Sequence, residues 1–234
     1  METSGAAWRV HPAAVKMTES GRCEVARRLS RKERKEQIIK AAAGVFAEKG
    51  FSKTLMAEVA AAADIGKGTV YEYFRSKDDL FFTVFVYFIQ ETRLTAEKAL
   101  TGAADKDAAE KLRTLSRSLV TWIAGHRHIY TLSLEFWAAS VSASPELRDR
   151  FEGSFRNTYG AFRKIVADII QDGVIAGMFK KNINPRAMAS GILGAWDGLG
   201  LQSMFDPAFQ IEKTAEAYME LIINALLDET SALL

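Results

Sequence analysis

Thr54-Leu-Met-Ala-Glu-Val-Ala-Ala-Ala-Ala-Asp-Ile-Gly-Lys-Gly-Thr-Val-Tyr-Glu-Tyr-Phe74 decides the fold, because it predicts two short helices joined by a tight turn. Thr54 is placed to cap the first helix, its hydroxyl accepting from a free N–H one turn in. Met56, Val59 and Ala60 give that helix an apolar side at i, i+3, i+4 spacing. The pattern breaks at Ala63-Asp64-Ile65-Gly66, where Asp tolerates a left-handed backbone and Gly carries no steric penalty. From Lys67 a second helix turns Val70 and Phe74 to one side. Gly68, Thr69, Glu72 and Tyr73 fall on the opposite arc at 100° per residue. A helix-turn-helix is the expected unit.

The outer arc suits a major groove. Gly68 allows close approach, Thr69 and Tyr73 carry hydroxyls, and Lys67 and Lys77 can neutralise phosphates. Glu72 can accept from a cytosine amino group. With Thr54 and Tyr71 these complete the candidate DNA contacts: Thr54, Lys67, Gly68, Thr69, Tyr71, Glu72, Tyr73 and Lys77.

Lys67-Gly-Thr-Val-Tyr-Glu-Tyr-Phe-Arg-Ser-Lys-Asp-Asp-Leu80 resembles the TetR/AcrR family of bacterial transcription regulators, whose pattern is roughly KGTLYxYFxSKxxL after a Thr-led helix. The resemblance runs from Arg34 to about Phe88. Two positions depart from it: Asp64 stands where Gly is common in the turn, and Gly66 where Ser often precedes the Lys. The second removes a hydroxyl that would cap the helix or meet a phosphate. The resemblance implies an operator-binding homodimer with an effector cavity in a helical body.

Composition fits a folded, non-secreted protein. With 234 residues, 48% apolar and 26% charged, the chain is long enough to bury a large core. Residues 1–77 hold 15 Lys and Arg against 9 Asp and Glu, and the remainder 16 against 20, so a basic front precedes an acidic back. The single cysteine, Cys23, excludes an intrachain disulfide. Leu80-Phe-Phe-Thr-Val-Phe-Val-Tyr-Phe-Ile89 is too short to span a bilayer, and no continuous apolar run marks a secretory signal. A cytoplasmic protein without membrane contact is expected.

Three regions are expected: a flexible arm at 1–27, a DNA-binding domain at 28–77, and an effector-binding and dimerisation body at 78–234. Met17 is an alternative start. Arg27, Arg28, Arg31, Lys32, Arg34 and Lys35 form a basic run able to follow DNA phosphates. Ser30-Arg-Lys-Glu33 is a capping box for a helix ending near Gly50, after which Phe51 should plug the head. Ser76 starts a helix running toward Leu100 and connecting head to body. Beyond it only helices are predicted: Asp107 to Gly125, His128 to Ser142, Ser144-Pro145 to about Gln171, Asn184-Pro185 to about Phe205, and Asp206-Pro207 to about Leu227. The fold class is all-α.

Gly191, Gly194, Ala195 and Gly198 lie on overlapping faces of one helix, where another helix can approach closely. Ile211, Ala215, Tyr218, Met219, Ile222, Ile223 and Leu226 stripe the last helix. Together they resemble the two C-terminal helices through which TetR-family proteins dimerise; packing inside the monomer is the alternative. Aromatic residues are frequent between these helices and the head: Trp122, Phe136, Trp137, Phe151, Phe155, Tyr159, Phe162 and Trp196. By the resemblance, Trp122, Phe136, Trp137, Phe155, Tyr159 and Asp197 are candidate contacts of a small hydrophobic effector. Glu135, Asn157 and Gln202 are further polar candidates to orient it.

An enzyme is poorly supported. His126 and His128 are two apart and diverge on a helix, His11 sits in the expected arm, and no nucleophile motif or phosphate loop is present. No catalytic residue, metal or cofactor is expected. A DNA-bound structural or division-control protein without effector remains open; an absent cavity would favour it.

Overall fold

Ser30 opens the first helix: its hydroxyl accepts from the Glu33 N–H at 3.2 Å, and the Glu33 carboxylate accepts from the Ser30 N–H at 2.8 Å. The computed structural model describes residues 29–126, 132–138 and 145–228. In chain order the helices are α1 (Arg31–Lys49), α2 (Met56–Ala62), α3 (Lys67–Tyr73), α4 (Lys77–Gly102), α5 (Ala108–Gly125), α6 (132–138), α7 (Pro145–Ile175), α8 (Pro185–Phe205) and α9 (Ile211–Leu226). The arm expected at 1–27, with His11, Met17, Cys23 and Arg27, lies outside the described residues. So do Arg28, His128, Ser144 and both ends of the helix expected over His128 to Ser142.

Local capping explains most helix starts. Ser76, Asp107 and Asn184 each accept from a backbone N–H three residues on, at 3.1, 2.8 and 3.1 Å. Two expected starts differ. Thr54 does not cap α2; the N-cap is Leu55, whose N–H donates to Glu58 Oε2 at 2.9 Å, while the Thr54 hydroxyl donates to the Gly50 carbonyl at 2.8 Å. Asp206-Pro207 forms a turn, with Asp206 Oδ1 accepting from the Ala208 N–H at 2.9 Å, and α9 begins only at Ile211. Asp64 adopts the left-handed backbone expected of it, at φ 52°.

The described residues pack around two apolar clusters. One joins α1 to the first turns of α4 and takes in Leu132 and Phe136 of α6 and Leu147 and Phe151 of α7. The other joins α5, α7, α8 and α9. Packing of the head therefore continues past residue 77 into helices that also build the body. In α9 the expected stripe divides: Ile211, Ala215, Met219, Ile223 and Leu226 are buried within this chain, whereas Tyr218 and Ile222 are half-buried; Leu221, outside that stripe, is exposed.

An isolated antiparallel bridge between Phe179 and Leu227 ties the α7–α8 connection to the end of α9. Gly173 leaves room for the Phe179 side chain, since a Cβ there would overlap the Phe179 ring and stand 2.9 Å from the Ala108 Cβ. Among the described residues no helix is long and apolar enough to cross a membrane.

Candidate nucleic-acid interface and internal cavity

Val70 and Phe74 are fully buried, which fixes the roll of α3 on the head. The opposite side exposes Lys67, Gly68, Tyr71 and Glu72, with Thr69 and Tyr73 half-buried at its margins. A Cβ on Gly68 would meet nothing within 4 Å, so the chain's own packing does not demand glycine there. Lys67 Nζ lies 6.0 Å from the Tyr71 ring centroid. Of the basic run, Arg31 sits over the Tyr73 ring at 5.7 Å and Lys35 over Phe74 at 5.7 Å, bringing positive charge beside the end of α3.

Two of the eight expected DNA contacts are committed elsewhere. Thr54 is 1% exposed and its hydroxyl is spent on the Gly50 carbonyl. Lys77 Nζ donates to the carbonyls of Phe51, Ser52 and Thr54 at 2.8, 3.1 and 3.1 Å and stands 4.6 Å from the Phe51 ring centroid. Three carbonyls use all three ammonium protons. Lys77 is thus a clamp on the α1–α2 loop, and the loop's orphan carbonyls are the reason.

A cavity of about 330 Å³ lies between α4, α5, α6, α7 and α8. Its size falls at the lower end for small-molecule sites. Trp122, Phe136, Trp137, Phe155, Tyr159 and Asp197, the six expected effector contacts, all line it. Phe162 and Trp196 join them, whereas Phe151 is buried in the other cluster. Trp196 is held by a hydrogen bond from its Nε1 to the buried Ser116 hydroxyl, 3.0 Å. Leu134, Trp137, Asp197 and Leu201 are lining residues that stay exposed, and they mark the mouth. The α4 wall of Phe85, Phe88, Ile89 and Thr92 was not anticipated; its i, i+3, i+4, i+7 spacing was the available signal.

Asp197 is the charged side chain among the described lining residues. The Tyr159 hydroxyl donates to its Oδ2 at 2.8 Å. Burial among apolar walls pushes this carboxyl above its usual value, and the tyrosine hydrogen bond opposes the shift. The residue is nonetheless exposed by surface area, so the carboxylate stands at the boundary between the apolar walls and solvent. Of the other polar candidates, Asn157 and Gln202 are exposed and outside the lining, with Gln202 Nε2 donating to the Gly198 carbonyl at 3.3 Å.

Glu135 leaves the cavity altogether. Its Oε2 accepts from the Phe51 N–H at 2.5 Å, and its Oε1 lies 2.7 Å from where a Cβ on Gly50 would stand. Gly50, at φ 77°, is favoured by its left-handed backbone, and a Cβ there would push the Glu135 carboxylate aside. The same short helix α6 presents Phe136 to the cavity and Glu135 to the head. An aromatic path runs parallel to this bond: Phe155 to Phe85 (4.7 Å between centroids), Phe85 to Phe136 (4.8 Å), Phe136 to Phe81 (4.3 Å), and Phe81 to Phe51 (4.3 Å). Among the described residues no group of three His, Cys, Asp or Glu side chains is placed to hold a metal.

Comparison with known proteins agrees with the fold. The family description "Bacterial regulatory proteins, tetR family" matches residues 38–84, and "BetI-type transcriptional repressor, C-terminal" matches residues 108–228. The fatty acid metabolism regulator protein of Bacillus subtilis (strain 168) is 23% identical over 192 residues, 81% of this chain and 94% of that protein. Among solved structures, a TetR transcription regulator from Haloarcula marismortui superposes with a TM-score of 0.73 at 18% identity, covering 84% of this chain and 100% of that one. The transcriptional regulator FadR from Bacillus subtilis, in complex with stearoyl-CoA, gives 0.67 at 24% identity, covering 80% and 97%. At these identities the structural likeness concerns the fold.

Proposed function

Because this chain belongs to the TetR family of transcriptional regulators, we propose that it is a homodimeric, cytoplasmic operator-binding repressor, released from DNA when a small, mainly apolar effector fills the cavity. The observation that carries this reading is α4. Its first residue, Lys77, clamps the head's α1–α2 loop, and three turns later Phe88, Ile89 and Thr92 form the cavity wall. A ligand that displaces this wall displaces the helix on which the head is mounted. The stearoyl-CoA complex of the Bacillus subtilis regulator supports an effector with an apolar body. The cavity itself disfavours an effector-free DNA-bound protein. No catalytic step, metal or cofactor enters the proposal.

For the dimer, exposed glycine and large apolar positions on α8 and α9 give support. Cβ atoms on Gly191, Gly194 and Gly198, the last of which also borders the cavity, would meet nothing within 4 Å, while Phe205 and Leu221 are 73% and 65% exposed. Three glycines in a helix interior cost about 3 kcal/mol relative to alanine. A helix approaching from a second chain gives that cost a reason.

The test is thermodynamic linkage. Operator DNA selected with the purified protein is titrated with and without ligands found by tryptophan fluorescence. A ligand that weakens operator binding a hundredfold, about 2.7 kcal/mol, must itself bind a hundredfold more weakly to the operator complex. Cavity ligands that leave operator affinity unchanged would reject the repressor reading.

A further inference from the structure

Resting on the reading of the cavity as the effector site, we propose that the effector is a lipophilic organic cation, its ammonium held on Asp197 and its hydrocarbon body lying against the aromatic walls. The argument begins with charge. Among the described lining residues Asp197 alone is charged, and the other side chains are aromatic, aliphatic or hydroxyl-bearing. A neutral, wholly apolar molecule would strip water from this carboxylate and return nothing, which is costly. An anionic end would meet a like charge. A cationic end removes the penalty.

The hydrogen bonding has the matching polarity. Tyr159 donates to Oδ2 and is the one hydrogen-bond partner of Asp197 among the described residues. An ionised carboxylate has about four lone-pair sites and can only accept. The acceptor capacity left over on Asp197 can receive an N–H from a ligand, with Tyr159 fixing the plane of the carboxylate. Burial already pushes this carboxyl toward its neutral form, a strain that an arriving positive charge reverses.

The walls add a second, independent attraction. The Phe155 and Tyr159 rings are stacked at 6.5 Å between centroids, and Trp137 meets Phe155 edge-on at 6.4 Å. Trp137 is 58% exposed at the mouth. Aromatic faces attract cations within about 6 Å of their centroids, tryptophan most strongly, and the effect grows when water is excluded. Asp197 is exposed like Trp137, so a cation at the mouth meets aromatic faces and the carboxylate together. Hydrophobic walls alone would accept any lipophilic molecule; the carboxylate and the aromatic faces select the sign of its charge.

The test uses the full-length protein and four ligands sharing one chain: decylamine, decyltrimethylammonium, decanol and decanoate, each below its micelle-forming concentration, with decanoyl-CoA as a fifth. Binding is followed by tryptophan fluorescence and calorimetry. Both cations should bind at least tenfold more tightly than decanol, with decanoate the weakest. In Asp197→Asn, which keeps the shape and a Tyr159 acceptor, the ratio of decylamine to decanol affinity should fall about tenfold. Decanoate or decanoyl-CoA binding as tightly as decylamine, or an unchanged ratio in Asp197→Asn, overturns the cation while leaving an apolar effector site intact. If none of the five binds, the effector-site reading falls and this inference with it.

Discussion

Two lysines of one motif, Lys67 and Lys77, carry the same charge and meet different physical demands. Lys67 is exposed at the start of α3, and its ammonium can exchange counterions with a phosphate. Lys77 has its three donors engaged by loop carbonyls. Lys67→Ala should therefore reduce the slope of log affinity for operator against log salt by about one unit, with little change in thermal stability. Lys77→Ala should instead lower the unfolding free energy by about 1–3 kcal/mol, since a charged donor is lost from half-buried acceptors. Calorimetry and salt-dependent anisotropy on both variants separate these roles; a salt slope that drops only in Lys77→Ala would reverse the assignment. The sequence could not distinguish the two lysines, because the carbonyls that hold Lys77 belong to a loop more than twenty positions earlier. The six cavity residues were legible for another reason. Taken singly each aromatic read as core; the family resemblance, which implies an effector cavity in the helical body, is what singled them out, and Asp197 stood among them.

At the scale of helices, ends are legible where a side chain bonds to its own backbone, as at Ser30, Ser76, Asp107 and Asn184. They are illegible where a start signal serves a turn, as at Asp206-Pro207, or where a distant group supplies the partner. α6 is the case with functional weight. Its assignment as a wall helix was possible from Phe136 and Trp137, but nothing local announced that Glu135 would cross to the Phe51 N–H. That bond and the aromatic path through Phe85 and Phe81 are two links between cavity and head. Glu135→Ala breaks the first and leaves the second. With any ligand that lowers operator affinity, the variant should bind the ligand about as well as the wild type and show a coupling at least fivefold smaller, within the usual span of about 1–3 kcal/mol for such couplings. Separate titrations of ligand and operator give both quantities. An undiminished coupling in Glu135→Ala would assign the transmission to α4 and its rings alone.

For the whole molecule the decisive surface is one that this chain leaves uncovered. Two operator half-sites on one face of DNA lie about 34–36 Å apart, and a single head cannot address both. A partner chain supplies the second head only if the joint between bodies is rigid enough to hold that spacing. The α8 glycines permit such a joint by letting helix backbones come close, with Phe205 and Leu221 adding apolar area that is exposed in the single chain. Gly194→Leu discriminates sharply, because its effects on chain and assembly have opposite signs. Within one chain the new side chain meets open space and leucine is the better helix former, so the fold should hold or gain up to about 1 kcal/mol. Between chains it separates the two α8 helices, so light scattering should show half the wild-type mass and operator binding should weaken at least tenfold. Leu221→Glu, on α9 beside the same face, should reproduce the loss of mass without any helix-propensity gain. A wild-type protein that stays monomeric at high concentration, or a Gly194→Leu variant that keeps both mass and operator affinity, would remove α8 and α9 as the joint and leave their glycines without a reason.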